Sequence, residues 1–365
     1  MNRTELRFAL RLIPFLDSVE EFEDGLVKLG DRRWLVWHPD VMTALFRHDR
    51  DLRHPPSRTL SPLLGNRSVL WLDGAEHTAY RRTLAPMLRG ARYQALIDEM
   101  VERSIAELPN HPVGLSEWTR KLTLRIMGRI VFGVDDDELL AAFTRWLDRR
   151  LGSRVRTLAH RYLGRGTTRF DPHLDEMLLH RAKTAEPPAL AAHLPPEDLR
   201  DQVVSLLFAG HETTASATAW TVFWIDRTPG LADQILENDA LLDATIAESL
   251  RLSPPATLAG NRMSADGMVI TPSIYLAHRR AATYENPHVF DPTRQPPPPG
   301  AFFPFGGGVR HCPGKDLALL EIRMIVTALL RRRRIRLNTT TCTPQLRGAA
   351  MAPPPSLAME ATCRR

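Results

Sequence analysis

The sequence predicts a mainly α-helical protein with a small β region. Three observations carry this reading. Apolar residues recur at three- and four-residue spacing through most of the chain, the stretches rich in β-formers are short, and those stretches lie near the two ends. No internal repeat of the roughly 20 to 50 residue kind is present. At 365 residues, with no compositional break to act as a linker, the chain reads as one domain over residues 1–365.

Helical periodicity covers residues 41–46, 77–88, 93–108, 118–132, 136–151, 199–225, 241–252 and 315–330, and strand patterns fall at 25–29, 34–37, 269–276 and 335–337. Proline-rich loops separate them at 54–62, 186–196, 292–299 and 352–355. Residues 1–16 interleave apolar residues with Arg3, Arg7 and Arg11, without the apolar run of a membrane span or the cleavage site of a signal peptide. The expected location is the cytoplasm. With 43% hydrophobic and 25% charged residues the composition is that of a globular protein, not a disordered one.

The net charge of +6 comes almost wholly from arginine, since Lys28, Lys121, Lys183 and Lys315 are the only lysines. The sharpest basic cluster is Arg331 to Arg334, read by default as the solvated end of a helix. The interleaved aromatic and basic residues of a nucleic-acid surface are missing. Three cysteines, Cys312, Cys342 and Cys363, are too few and too scattered for a disulfide framework or a zinc site. Of these, Cys312 alone has a chemical setting.

That setting is the run Phe305-Gly306-Gly307-Gly308-Val309-Arg310-His311-Cys312-Pro313-Gly314-Lys315. Pro313 suits a first helical turn, which places Cys312 at a helix N-terminus. Unpaired N–H groups and the helix dipole there favour a thiolate, which is both a nucleophile and a metal ligand. The glycines leave room for a large flat group near the sulfur. The spacing of Phe305, Gly308, Arg310, Cys312 and Gly314 resembles the haem-binding loop of the cytochrome P450 family, whose cysteine thiolate is the axial ligand of haem iron. The resemblance implies a cytochrome P450 fold, with a long central helix over haem b (iron protoporphyrin IX) and Cys312 below it.

The central helix begins after Pro195-Pro196-Glu197-Asp198 and runs to about residue 226, roughly 45 Å. Its middle carries Ala209-Gly210-His211-Glu212-Thr213-Thr214. Gly210 weakens a helix by about 1 kcal/mol relative to alanine. The Thr213 hydroxyl can turn back to the Ala209 carbonyl, bending the ladder and opening a groove. A polar seam between two shorter helices is the bland reading. The segment also resembles the family's oxygen-binding signature, which implies Ala209 and Gly210 beside the cofactor and Glu212 and Thr213 as the acid and alcohol that deliver protons during dioxygen activation.

Glu248 and Arg251 stand three apart on one helical face, a spacing common on exposed helices. Their place before Phe290-Asp291-Pro292-Thr293-Arg294 resembles the family's Glu-Arg-Arg network, implying that Glu248, Arg251 and Arg294 hold the Cys312 loop. Asp73-Gly74-Ala75-Glu76 reads as a helix N-cap with an acidic partner, followed by His77 and Arg81 on one face. By resemblance His77, Arg81, Arg262 and Arg310 bind the haem carboxylates, with Phe305, Gly306 and Gly314 shaping the cofactor loop.

The chain departs from the family in two places. Only 75 residues separate Gly133 from Ala209, a shortened stretch for the roof of the substrate cavity. The run after Arg262 is too short for the usual β hairpin. These contractions imply a reduced or unusually mobile lid and a bulky substrate, free or presented by a carrier protein. The cavity would be lined by residues 55–70, Leu207, Ala209, Gly210, 257–260 and 350–357, which are mostly small or apolar.

The resemblance thus implies a bacterial haem-thiolate monooxygenase of secondary metabolism. It would act as a monomer away from membranes and nucleic acid, on a hydrophobic small-molecule or carrier-bound substrate. Electrons would come from a ferredoxin and ferredoxin reductase, whose acidic faces would meet Arg310, Lys315, Arg323 and the 331–334 cluster. Alternatives are oxidative coupling, dehydration or peroxide-driven oxidation on the same fold, a cysteine hydrolase with Cys312 as nucleophile, and a non-catalytic helical binding protein.

Overall fold

The computed structural model describes residues 2–57, 60–152 and 171–364. Short helices α1 (Arg3–Leu10) and α2 (Leu12–Asp17) lead into strands β1 (Leu26–Gly30) and β2 (Arg33–Val36), then α3 (Pro39–Arg47) and α4 (Ser61–Leu64). Next come α5 (Gly74–Met87), α6 (Gln94–Ala106), β3 (Val113–Gly114), α7 (Leu115–Phe132), α8 (Asp137–Leu151) and α9 (Pro172–Lys183). The central helix α10 (Leu199–Arg227) is followed by α11 (Leu231–Glu237), α12 (Asp239–Leu252), β4 (Arg262–Met263), β5 (Val269–Pro272) and α13 (Ile274–Ala277). A long loop then reaches α14 (Lys315–Arg332), and the chain ends in β6 (Arg333–Leu337), β7 (Gln345–Arg347), β8 (Ala350–Ala352) and β9 (Ala358–Cys363).

Helix α10 is continuous over 29 residues, about 44 Å. Gly210 does not break it. A Cβ at that position would stand 2.6 Å from the sulfur of Met127 on α7, so the glycine admits the close crossing of the two helices. The expected back-bond is present, Thr213 Oγ1 donating to the Ala209 carbonyl at 2.9 Å. Around α10, one apolar core joins Val203, Leu207, Ala219 and Phe223 to Ile126 and Ile130 of α7 and to Ile325 and Leu329 of α14. A second, smaller core gathers Phe15, Leu29, Leu35, Trp37, Met42 and Leu276 beside the N-terminal sheet.

That sheet has the order β1-β2-β5-β4. β2 runs parallel to β5, Arg33 opposite Val269, and β4 returns antiparallel with Arg262 opposite Ile270. The run after Arg262 therefore does form a hairpin, contrary to expectation, because two paired residues and a tight turn held by Ser264 suffice. The strand expected over 269–276 ends at Pro272, where Ser273 caps α13 by accepting from the Leu276 amide. β9 lies between β3 and β6 in a second sheet, and β7 pairs with β8. The contracted stretch before Ala209 holds α8 and α9, while residues 153–170 of the expected roof, like residues 58–59 of the expected lining, lie outside the described residues. Among the described residues, no helix is long and apolar enough to cross a membrane.

Glu321 of α14 is fully buried, and its Oε2 has no hydrogen-bond partner among the described residues. Burial alone pushes its carboxyl well above the ordinary range. A carboxyl raised on folding binds its proton more tightly in the folded chain, so stability is lost as pH rises from the ordinary carboxylate value toward the folded one. Thermal unfolding of Glu321→Gln should therefore show a stability gain over the wild type that widens between pH 5 and 8. A constant difference would show that Glu321 finds a partner.

Candidate functional site

The site is built on the loop before α14. Cys312 is half-buried, and its amide donates to the Phe305 carbonyl at 2.9 Å, which closes the loop. Gly308 has φ +67°, and a side chain there would run into the Asp49 carboxylate, while one at Gly307 would meet the Phe46 ring. The loop is thus seated against the end of α3. Helix α14 starts at Lys315 with Gly314 as its cap, so Cys312 stands two residues before the cap, not within the first turn. Desolvation pushes the Cys312 thiol above its ordinary value, against the opposing pull of the Gly314 N–H and the Arg81 charge. The local backbone therefore does not suffice to ionise it, in contrast to the sequence expectation. A cation bound directly to the sulfur would, since a coordinating thiol is deprotonated outright. Among the described residues no histidine hydrogen-bonds the sulfur, so the geometry offers no general base for a cysteine hydrolase.

The loop is anchored through a route that begins at Glu248 and Arg251. Both are buried, and they meet in two bonds, Arg251 Nε to Oε2 at 2.7 Å and Nη2 to Oε1 at 2.8 Å. Arg251 Nη1 also donates to the carbonyl of His278 at 2.8 Å. The His278 ring in turn accepts the Phe303 amide at Nε2, 3.0 Å. Desolvation and the Arg279 charge hold His278 down to about 3, so the ring stays neutral and can accept. Arg294 joins more loosely, with Nε 3.4 Å from Glu248 and its other nitrogens on the carbonyls of Glu285, Asn286 and Val289. His278 escaped the sequence reading because its link to Phe303 spans 25 positions with no motif.

The central helix is open at one place in its middle. Between Gln202 and Phe223 every residue of α10 is buried except Ala209, Gly210 and Thr213. Glu212 does not share that opening. Its carboxylate receives Arg120 Nε of α7 at 2.6 Å, and Arg120 also reaches Asp148 of α8 at 2.8 Å. Burial pushes Glu212 up, but His211 and Arg120 pull harder and hold it at about 2, so it is an anion at neutral pH. A cleft of about 270 Å³, lined by Arg120, Asp148, Arg347 and Pro353, reaches Glu212. The acid and the alcohol, adjacent in sequence, thus lie on different sides of α10.

The expected carboxylate-binding groups divide into two pairs. His77 is buried and Arg81 half-buried, and neither has a hydrogen-bond or ion-pair partner among the described residues. Desolvation and the charges of Arg310 and Arg81 push His77 down to about 4. Arg262 and Arg310, by contrast, are engaged within the chain. Arg262, 1% exposed, bonds Asp49, Gly260 and Gly307, and Arg310 bonds Asp73 and the carbonyls of Val69 and Leu72. A buried guanidinium needs a counter-charge, and the protein supplies one to each. Asp73 occupies the N-cap position of α5, but its side chain serves His54 and Arg310 instead of the helix amides, and Glu76 turns to Arg67. The spread of basic residues also differs from expectation. Arg323 is paired with Asp239 and Asp243, Arg331 and Arg332 lie about 25 Å along α14 from Lys315, and Arg333 and Arg334 open β6, with Arg333 buried.

A sequence model described as Cytochrome P450 matches residues 143–359. The cytochrome P450 135B1 of Mycobacterium bovis is 30% identical over 354 residues, which cover 80% of this chain and 74% of that protein. The chain belongs to the cytochrome P450 family. It is accordingly an oxidoreductase, a haem-dependent monooxygenase. Another relative, the cyclooctatin synthase of Streptomyces melanosporofaciens, is 28% identical over 407 residues, covering 92% of this chain and 86% of that one. The crystal structure of CYP175A1 from Thermus thermophilus superposes with a TM-score of 0.80 at 26% identity, covering 97% of this chain and 96% of that one. The residues fit the haem: the Cys312 thiol is desolvated beyond what its neighbours offset, the middle of α10 is uncovered at Ala209, Gly210 and Thr213, and among the described residues His77 has no hydrogen-bond partner and Arg81 no ion-pair partner, places a haem carboxylate would fill.

The anchoring route grades the three members of the Glu-Arg-Arg set. Glu248→Gln leaves Arg251 buried without its counter-charge and should cost about 3–5 kcal/mol in denaturant unfolding. Arg294→Ala removes longer, more exposed contacts and should cost about 1–2 kcal/mol. Equal losses would contradict the route through Arg251 and His278.

Proposed function

We propose that Cys312 would supply the thiolate that holds the haem iron and that the opening of α10 at Ala209, Gly210 and Thr213 would border the haem. The observation that carries this is that, between Gln202 and Phe223, α10 is uncovered at those residues alone, on a chain whose family uses haem. When bound, the haem supplies one-electron redox chemistry and dioxygen activation, and the thiolate's electron donation favours O–O cleavage. His77 and Arg81 hold the haem carboxylates from α5, and Phe305 and Gly306 flank the sulfur. Thr213, whose hydroxyl already leans on the Ala209 carbonyl, presents a hydrogen bond and a proton to the reacting oxygen. Glu212, ionised and paired with Arg120, lies on the far side of the helix at a cleft wide enough for water, and its part in proton delivery would run through that water.

The substrate in this reading is a hydrophobic, bulky natural product of bacterial secondary metabolism, free or on a carrier. The match to a cyclooctatin synthase supports that class. The enzyme works as a single domain over residues 1–365, a cytoplasmic monomer that takes electrons from a ferredoxin and its reductase. With Arg323 neutralised and the 331–334 cluster distant, the docking face centres on the exposed Lys315.

The test is turnover under isotopically heavy dioxygen with a ferredoxin system, using substrates found by their displacement of the resting haem spectrum. One heavy oxygen atom should enter each product molecule. Thr213→Ala should lower product formed per electron pair by about tenfold or more, with the electrons diverted to peroxide. Unlabelled product would point to coupling or dehydration, and an unchanged yield in Thr213→Ala would remove Thr213 from proton delivery.

A further inference from the structure

The buried charges beside the Cys312 loop form one continuous chain. Arg262 Nε donates to Asp49 Oδ1 at 2.9 Å, and its Nη2 donates to the Gly307 carbonyl at 3.0 Å. The same Asp49 oxygen lies 3.1 Å from His54 Nε2. On the other edge of the ring, His54 Nδ1 lies 2.6 Å from Asp73 Oδ1, and the His54 amide donates to Asp73 Oδ2 at 2.8 Å. Asp73 then receives Arg310, two residues before Cys312. A single imidazole therefore joins the counter-charges of both engaged arginines. Asp49 is 1% exposed and His54 6%.

Donor counting fixes the charge of the ring. Desolvation of Asp49 is outweighed by its bonds to His54 and Arg262, which hold it below the ordinary carboxylate range, and Asp73 is lowered by His54 and Arg310 against its own desolvation. Two ionised carboxylates only accept, so both ring nitrogens donate and His54 is an imidazolium. Three cations then face two anions, and the excess acts on His77, whose protonation is opposed first by burial and then by Arg310, Arg81 and His54, against the pull of Asp73. A neutral residue in place of His54 would leave Asp49 and Asp73 to neutralise the two arginines completely.

We propose that His54 is a positioning residue for the cofactor pocket: held between Asp49 and Asp73, it orients Arg262 and Arg310 and keeps the surroundings of the Cys312 loop, where His77 and Arg81 would hold the haem carboxylates, positively charged. This rests on the placement of haem at Cys312. The positive field favours the reduced iron, which carries one charge fewer, so removing it makes the iron harder to reduce.

The test uses haem-loaded His54→Gln and His54→Lys beside the wild type. His54→Gln should lose haem to excess apomyoglobin roughly tenfold faster and show a reduction potential shifted to more negative values. His54→Lys, which keeps the cation, should recover most of both. A residue that only fills space would speed haem loss without moving the potential, so an unchanged potential in His54→Gln overturns the proposal. Should His54→Gln yield no holoenzyme, His54→Lys decides: a potential close to the wild type upholds the proposal, and a negative shift with the cation present overturns it. The carbonyl complex of the reduced wild type reports the underlying placement separately. Without the Soret position of a thiolate-ligated haem, that placement fails whatever the variants do.

Discussion

Glu248 and Arg251 meet in the interior of the protein, where neither charge is tolerable without the other. What makes this pair the foundation of the site is the fate of the remaining guanidinium donors. They hold the carbonyls of His278, Pro287 and Val289, and the His278 ring holds the backbone at Phe303. The loop that carries Cys312 has little regular structure of its own and starts just after Phe303. Its position is thus set by a charge pair more than fifty residues upstream, through a neutral histidine kept neutral by burial. The glycines complete the seating, because the Asp49 carboxylate and the Phe46 ring occupy the space that side chains at Gly308 and Gly307 would need.

Around this frame the electrostatics are deliberately incomplete. The sulfur is desolvated beyond what one N–H and a nearby guanidinium can offset, and among the described residues His77 of α5 has no hydrogen-bond partner and Arg81 no ion-pair partner. An iron centre with pendant carboxylates answers both deficits at once. Elsewhere the charges are closed: Glu212 with Arg120, and Arg262 and Arg310 with Asp49 and Asp73. The division between closed and open charges separates the residues that hold the cofactor directly from those that shape its surroundings.

The parts of this arrangement that were legible in the sequence are local ones. Cys312 with its glycines, the Ala209 to Thr213 segment and the Glu248, Arg251 pair each lie within a dozen residues, so spacing alone exposes their chemistry. The long helices were legible because their apolar stripe repeats many times, and their observed limits differ by only a few residues. What could not be read is non-local or short. Asp49 meets Arg262 across 213 positions and Glu212 meets Arg120 across 92, with no pattern to connect them. Strands of two or three residues, such as β3, β4, β7 and β8, owe their existence to pairing partners, and α1, α2 and α11, of six to eight residues, are too short for periodicity to stand out. Sequence adjacency also hides the arrangement of Glu212 and Thr213, because one step along a helix is about 100°, enough to send them to different sides.

The central claim is that the sulfur of Cys312 is bound to the haem iron. Iron-edge X-ray absorption on the resting, haem-loaded protein measures this directly, because sulfur scatters differently from nitrogen and oxygen. One sulfur in the iron's first coordination shell in the wild type, lost in Cys312→His, is the predicted result. A wild-type shell of nitrogen and oxygen alone, or a sulfur that persists in Cys312→His, would contradict the account.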